Sequence, residues 1–210
     1  MERKFKGCIC IMIYAIGDSH VRSFGNEFTK IALDPTPTAY QNVKRIGVIK
    51  DNLSGMKKDT DKVIFSFGEV DVRCHLGFIA DRDNRTHEDV VSECVVRYGK
   101  FLDHFIGNGY KVGVWGAVPS GEFNGVGGNG RPSYKTHVER NNLTKLFNGK
   151  LEKMCLDKKI SYNSIFDMVI EDSGNYGLYF SMDNIHLNGG DFKNRVNGKD
   201  CEKLIRALLE

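Results

Sequence analysis

The chain has 210 residues, of which 27% are charged and 40% hydrophobic, and its formal net charge is +3. The length and composition suit a single globular domain, residues 1–210. Because the lysines and arginines are scattered rather than gathered in a basic stripe, the sequence argues against nucleic-acid binding, and no apolar run reaches the ~18 residues of a membrane span.

The first predicted element is a buried strand, residues 8–16, which form a continuous apolar run. The basic segment before it resembles the start of a signal peptide, but the run leads directly into Gly17 and no clear cleavage site precedes it. We therefore expect a cytoplasmic protein, with secretion as the less favoured alternative.

Strands and helices alternate along the rest of the chain, which predicts a parallel sheet flanked by helices. The predicted strands cover residues 28–33, 63–67, 111–118 and 160–168. Apolar residues at helical spacing predict helices over 43–56, 86–106, 143–155 and 201–209. Residues 119–132 form a long glycine-rich loop, for which a functional rim or lid and a loose insertion are both open interpretations.

The six cysteines form no CxxC pair and have no spacing typical of a zinc site. A domain with an adequate core also has little need of a disulfide framework. We therefore expect buried free thiols in a reducing compartment at all six positions: Cys8, Cys10, Cys74, Cys94, Cys155 and Cys201.

Three polar motifs fall after predicted strands or in a late loop, where open parallel sheets bind ligands. They are Gly17-Asp18-Ser19-His20, Gly68-Glu69-Val70-Asp71 and Asp183-Asn184-Ile185-His186. A serine hydroxyl needs a base to become a nucleophile, and a histidine whose tautomer is fixed by a carboxylate is suited to that task. The three-residue spacing of Asp183 and His186 allows such a pair within one turn.

These three blocks, taken in order, resemble those of the SGNH/GDSL hydrolases: GDSH for the first block, GEVD for the GxND block, and DNIH for the final DxxH block. The resemblance covers nearly the whole chain. It implies a flavodoxin-like, three-layer α/β/α sandwich with about five parallel strands, and ester hydrolysis without a metal or other cofactor. It also implies that Ser19 is the nucleophile, His186 the base and Asp183 its orienting carboxylate.

The sequence departs from that family at the oxyanion hole. Val70 stands where the family has an asparagine, and no glycine follows the second strand, where only Asp34, Thr36 and Thr38 retain an N–H between prolines. Other residues near the motifs are therefore candidates for oxyanion or substrate contacts, namely Asp18, His20, Gly68, Glu69, Asp71, Arg73 and His75. The alternatives stay open: Ser19 as a helix N-cap with Asp18 or His20 filling a turn, Asp71 with Arg73 as a structural ion pair, and Glu69 pointing to cleft or solvent.

The favoured hypothesis is a serine esterase that removes a small acyl group, such as an O-acetyl, from a small-molecule or glycan ester. Acyl transfer to a sugar hydroxyl would use the same acyl-serine. A catalytically weak or silent domain that binds a glycan or a protein in the same cleft is the alternative, which the missing oxyanion donors favour. A flavin or nucleotide binder is disfavoured, because no glycine-rich phosphate loop follows the first strand.

Overall fold

The computed structural model describes residues 11–24, 28–33, 38–126, 132–171 and 185–186. Within these residues the chain forms one parallel sheet of five strands in the order β2-β1-β3-β4-β5. The strands are β1 (Ile13–Gly17), β2 (Phe28–Ala32), β3 (Lys62–Ser66), β4 (Lys111–Trp115) and β5 (Ser161–Asn163). This architecture confirms the predicted α/β fold.

The central strands are buried on both faces, as their apolar sequences require. Ile16 and Phe65 point into the main hydrophobic core, where the helices pack. Ala15 and Ile64, which alternate with them along β1 and β3, are also buried on the opposite face. The sheet is therefore a covered middle layer, in agreement with the three-layer prediction.

Two 3₁₀ helices, Ser19–Ser23 and Ala39–Arg45, follow β1 and β2. The α-helices are α1 (Ile46–Asn52), α3 (His87–Gly107), α4 (His137–Asp157) and α5 (Phe166–Glu171). Between α1 and α3, a continuous helix α2 runs through Glu69–Asp71, a π-helical turn at Val72–Leu76, and Gly77–Arg82. Helix α3 begins where the sequence predicts, because the Thr86 side chain caps it by accepting a hydrogen bond from the Asp89 N–H.

Several boundaries differ from the predicted ones: β4 ends at Trp115 and not at residue 118, α4 begins at His137 and not at Leu143, and helix α2 was not predicted. The first strand begins only at Ile13, and Ile11 and Met12 before it are exposed. The predicted stripe over 43–56 starts as a 3₁₀ helix whose tighter turn leaves Val43 exposed. The predicted strand 160–168 is wrong in its second half, because β5 ends at Asn163 and α5 begins at Phe166.

Several predictions lie outside the described residues: residues 8–10 of the predicted first strand, the helix over 201–209, and the positions of Thr36, Asp183, Cys8, Cys10 and Cys201. The other three cysteines are buried, as predicted: Cys74, Cys94 and Cys155. Among the helices that the structure describes, none is both long and apolar enough to cross a membrane.

Candidate active site

Ser19 lies at the carboxyl end of β1, on the first turn of a 3₁₀ helix. Gly17 allows this turn because β1 runs very close to β3 here: a Cβ at position 17 would overlap the carbonyl oxygen of Ser66. Asp18 caps the helix, its Oδ1 accepting a hydrogen bond from the His20 N–H at 3.0 Å. The cap is therefore Asp18, and the Ser19 hydroxyl is available for another contact.

That contact is with His186. The Oγ of Ser19 and the Nε2 of His186 are 2.7 Å apart, a hydrogen-bond distance, although the two residues are 167 positions apart in the chain. Asp183, predicted to orient this histidine, lies outside the described residues. The structure thus brings together the two motifs that contain the predicted nucleophile and base.

A buried network of charges lies beside this pair. Glu69, the first residue of α2, accepts hydrogen bonds from Arg73 one turn later, with Nε to Oε1 at 2.7 Å and Nη2 to Oε2 at 3.3 Å. On its other side, the Oε2 of Glu69 is 3.3 Å from the Nε2 of His20. All three side chains are buried, so none of them is placed on the surface of the site to contact substrate directly.

The ionisation of these groups follows from their contacts. Burial would by itself raise the pKa of Glu69, but Arg73 and His20 outweigh it and lower that pKa to about 2. Burial would lower the pKa of His20, but the carboxylates of Asp18 and Glu69 raise it above its usual value. Burial raises the pKa of Asp18, against the opposing influence of His20. Glu69 is therefore a carboxylate near neutral pH.

His20 connects this network to the serine–histidine pair. The ring of His20 lies against the ring of His186, with 5.1 Å between the centroids and 38° between the planes. A continuous series of contacts thus runs from Arg73 through Glu69, His20 and His186 to Ser19. The sequence did not predict this series of contacts, although the i,i+4 spacing of Glu69 and Arg73 is a signal for the helical pair.

The structure does not form the ion pair between Asp71 and Arg73 that the sequence left open as one alternative. Arg73 binds Glu69, while the carboxylate of Asp71 accepts hydrogen bonds from the backbone N–H groups of Ala39 at 2.6 Å and Tyr40 at 3.1 Å. These N–H groups begin the second 3₁₀ helix, which lacks backbone partners for them. Asp71 therefore holds that helix against α2 and has a structural role.

The candidates for oxyanion donors have mixed outcomes. Val70 is buried and offers no polar side chain. The guanidinium of Arg73 is occupied by Glu69 at two nitrogens, and its buried Nη1 has no hydrogen-bond partner among the described residues. Thr38 is buried, with its hydroxyl likewise unpartnered within the described part of the chain, and His75 is half-buried on α2.

Gly68 connects β3 to α2 with φ +129°, a conformation that favours glycine. It too is closely packed, because a Cβ there would overlap the ring of Phe147. Gly68 thus sets the direction in which Glu69 leaves the sheet.

The loop after β4 is held firmly along the same edge of the sheet. The side-chain amide of Asn148 on α4 binds both backbone groups of Ala117, each at 2.8 Å, and that of Asn141 binds both backbone groups of Ser120. Arg140 is buried and donates to the carbonyls of Gly121 and Phe123, each at 2.8 Å. These bonds favour a fixed rim over a loose insertion for the described part of the loop.

The order of the strands explains why the site forms here. The chain leaves β1 for β2 on one side, then returns to place β3 on the other side of β1. Ser19 follows β1 and Glu69 follows β3, so both lie where the strand order reverses, which is where open α/β sheets bind ligands. The described residues of this region include no group of three or more His, Cys, Asp or Glu side chains suited to a metal ion.

This fold is that of the SGNH/GDSL hydrolases, as comparison with solved structures shows. A GDSL-like lipase from Bacteroides thetaiotaomicron matches with a TM-score of 0.59 and 17% identity, over 92% of this chain and 89% of that chain. An acetyl xylan esterase matches with a TM-score of 0.56 and 14% identity, over 92% of this chain and 98% of that chain.

The psychrotrophic esterase EstA from Pseudoalteromonas, in a structure inhibited by monoethylphosphonate, matches with a TM-score of 0.51 and 9% identity, over 94% of this chain and 98% of that chain. At these identities the likeness establishes the fold. No family model matches the sequence, and no curated protein matches it either.

Proposed function

We propose that the chain is a serine ester hydrolase of the SGNH/GDSL class, with Ser19 as nucleophile and His186 as general base. The observation that carries the proposal is the 2.7 Å separation of the Ser19 Oγ and the His186 Nε2. A nucleophile and its base within hydrogen-bond distance, at the switch point of a parallel sheet, form the arrangement that acyl-transfer chemistry needs. Solved structures of this fold include esterases and a lipase.

The reaction proceeds through an acyl-serine. When Nδ1 of His186 carries the ring proton, Nε2 accepts the proton of Ser19 as Oγ attacks the ester carbonyl carbon. The tetrahedral intermediate then expels the alcohol, which takes that proton from His186. Water attacks the acyl-serine next and gives a proton to His186, and collapse of the second intermediate releases the acid and restores the serine hydroxyl. Asp183 is proposed to fix the required tautomer.

The substrate is proposed to carry a small acyl group, such as an acetyl group on a carbohydrate. One structure of the same fold is that of an acetyl xylan esterase, which gives this substrate class its support. A sugar hydroxyl in place of water would convert the same acyl-serine into the intermediate of an O-acyltransferase. Both reactions require the same first half, so one experiment tests their common basis.

A second candidate is a silent domain that binds a glycan or protein in this cleft. The observation in its favour is Val70, whose side chain is buried and apolar. It cannot supply the oxyanion-hole donor that an asparagine provides in the SGNH/GDSL hydrolases, which this sequence resembles. Loss of one such donor slows acyl transfer by about 10²–10³-fold. A slow enzyme and a silent binder therefore differ in whether Ser19 reacts at all.

The decisive experiment combines hydrolysis of p-nitrophenyl acetate with covalent labelling by a fluorophosphonate. We expect the wild-type protein to do both, and Ser19→Ala to abolish labelling and to lower hydrolysis by about 10³-fold or more. His186→Ala should lower both to a similar extent. Intact-protein mass spectrometry locates the label.

Ser23→Ala is the matched control. It removes a hydroxyl from the same 3₁₀ helix, but that hydroxyl donates to the carbonyl of His20 at 2.7 Å and does not meet His186. We expect it to retain labelling within about threefold. Absence of labelling in the wild-type protein, with its fold intact, would reject the esterase and favour the binding domain.

A further inference from the structure

The second imidazole of the site has no role in the reaction described above. His20 is adjacent to the nucleophile in sequence, yet it is buried, so it does not meet substrate at the surface. Its ring instead lies against the ring of His186, with the centroids 5.1 Å apart. The contact with His186 therefore indicates where a role for this buried imidazole would lie.

His20 is held from three sides. Its backbone N–H donates to Asp18, its carbonyl accepts from the hydroxyl of Ser23, and its Nε2 faces the Oε2 of Glu69 at 3.3 Å. Glu69 is itself fixed by two hydrogen bonds from Arg73. The charged groups that face His20 are thus Asp18, Glu69 and Arg73, and all of them are buried.

His186 lies in a different situation. It comes from a segment far along the chain, and its Nε2 must stay within hydrogen-bond distance of Ser19 for the proton transfer to occur. A rigid ring packed against it would restrict the directions in which the imidazole can turn. His20 is placed to be that ring, because the groups that hold it lie in its own 3₁₀ helix, in the cap of that helix and on α2.

We propose that His20 is a positioning residue. Its buried ring, fixed by Glu69 and Arg73, packs against the His186 imidazole and keeps that imidazole aligned with Ser19. This inference rests on the proposed function, since it assigns His20 a role in the same reaction. It assigns that role to the flat ring of His20 and not to a proton that His20 gives or takes.

The test compares three substitutions of His20 whose side chains are progressively less like the imidazole ring. His20→Phe keeps a flat ring without nitrogens, and Glu69 stays paired through both hydrogen bonds from Arg73. His20→Leu fills volume without a flat surface, and His20→Ala leaves a cavity. We expect fluorophosphonate labelling to slow less than about fivefold for Phe and about 100-fold for Ala, the cost of a misplacement of about 1 Å. Leu should fall between them.

The pH profile of labelling separates packing from proton transfer. If the ring acts by packing, the His20→Phe protein has the same profile as the wild type, at a somewhat lower rate. Melting temperatures show whether each variant is folded, and His20→Leu retains the comparison if His20→Ala does not fold. His87→Ala and His87→Phe, at an exposed position on α3, are the matched controls and should leave the rate unchanged.

The outcomes distinguish this inference from the proposed function. If the wild-type protein labels but His20→Phe labels as slowly as His20→Ala, the positioning role is overturned and the esterase proposal stands. The same holds if His20→Ala labels as fast as the wild type. A shifted pH profile for Phe would also overturn it, by assigning the effect to the His20 proton. A wild-type protein that does not label at all would overturn both.

Discussion

The position of Ser19 depends on two glycines that leave no room for a side chain. At Gly17, a Cβ would overlap the Ser66 carbonyl oxygen and contact the side chain of Val21 at 2.7 Å. At Gly68, a Cβ would meet the ring of Phe147, and the residue has φ +129°. Gly17 ends β1 just before Ser19, and Gly68 follows β3 just before Glu69. The site therefore depends on a close approach of backbone to backbone at Gly17 and of backbone to an aromatic ring at Gly68.

Gly17→Ala should be strongly destabilising. The added methyl group meets a backbone carbonyl, which cannot rotate away, so β1 and β3 must separate locally. We expect a loss of unfolding free energy of about 1–3 kcal/mol and slower labelling of Ser19. Urea denaturation and the fluorophosphonate assay measure the two effects.

Gly47→Ala is the control for this prediction, because a Cβ at position 47 has no atom within 4 Å. It lies in α1, where alanine is preferred to glycine by roughly 0.5–1 kcal/mol. The control should therefore be neutral or stabilising. Equal effects of the two substitutions would contradict the close-approach argument.

The residues of the site were predicted from the sequence only in part. Ser19 and His186 were predicted to act together because their motifs are recognisable, and the structure brings them within 2.7 Å. Arg73 binds Glu69, whereas the sequence offered Asp71 as one open alternative for its partner. A helix that starts at Glu69 puts residues 69 and 73 on the same face, but that start was not apparent from the sequence. The true partners of Asp71 are N–H groups 31 and 32 residues away, which no local pattern indicates.

Among the elements, helix α4 determines the shape of the rim of the site. One of its faces presents Arg140, Asn141 and Asn148, which satisfy backbone groups of the loop that follows β4. Irregular backbone that is buried needs such partners, because unpaired N–H and C=O groups are costly. Sequence periodicity predicted the helix but not this polar face, because these residues contact a loop and not the apolar core.

Arg140→Met tests this anchoring. The guanidinium of Arg140 is buried and donates to the carbonyls of Gly121, Phe123 and Lys135 and to the side chain of Asn124. Methionine keeps much of the volume but leaves these acceptors without donors, at a cost of about 1–3 kcal/mol or more. We expect lower stability and faster proteolytic cleavage within residues 117–126.

Arg82→Met provides the comparison. The Arg82 side chain is 56% exposed and pairs with Asp83 at the surface, where such pairs contribute only about 0–1 kcal/mol. Its proteolysis pattern should match that of the wild type. A loop that is cleaved no faster in Arg140→Met than in Arg82→Met would show that Arg140 does not hold the rim.

The elements themselves were predicted with uneven success, for physical reasons. Thr86 marks the start of α3 because capping is a local interaction that short sequence patterns contain. The predicted last strand was too long because apolar residues fall both around β5, at Ile160 and Tyr162, and around the start of α5, at Ile165 and Phe166. Such a short pattern does not distinguish a strand from a helix. The end of a strand at Asn163 is decided by pairing with β4.

On the scale of the whole molecule, the site places an ion pair in the interior beside Ser19 and His186. Glu69 and Arg73 are buried, and removing charges from water is costly unless they pair. The sheet topology enforces this burial by bringing the ends of β1 and β3 together. Stability and the arrangement of the site are therefore linked through the ionisation of one carboxylate.

That link predicts how stability depends on pH. The pKa of Glu69 is lowered to about 2 from an ordinary value of 4.5, so its contribution to stability is complete above pH 4.5 and is lost as the pH falls toward 2. The contribution is about 3 kcal/mol near neutral pH, of which about 2 kcal/mol is lost by pH 3. Urea denaturation from pH 6 to pH 3 measures the loss.

Two variants isolate this contribution. Glu69→Gln leaves the buried Arg73 without its counter-charge and should cost about 3–5 kcal/mol at neutral pH. Glu69→Gln with Arg73→Met removes both charges and should recover much of that stability, with a shallower fall between pH 4.5 and pH 3 than the wild type shows.

Glu93→Gln is the surface control. The pKa of Glu93 is also lowered to about 2, chiefly by hydrogen bonds from Tyr40, Arg85 and Arg97, but its side chain is 30% exposed and its ion pairs are partly solvated. Solvent screening should limit the effect of this substitution to about 1 kcal/mol. The double variant Glu69→Gln with Arg73→Met could instead keep the full wild-type dependence of unfolding free energy on pH. The loss of stability in acid would then come from carboxylates other than Glu69, and the buried ion pair would not couple stability to pH.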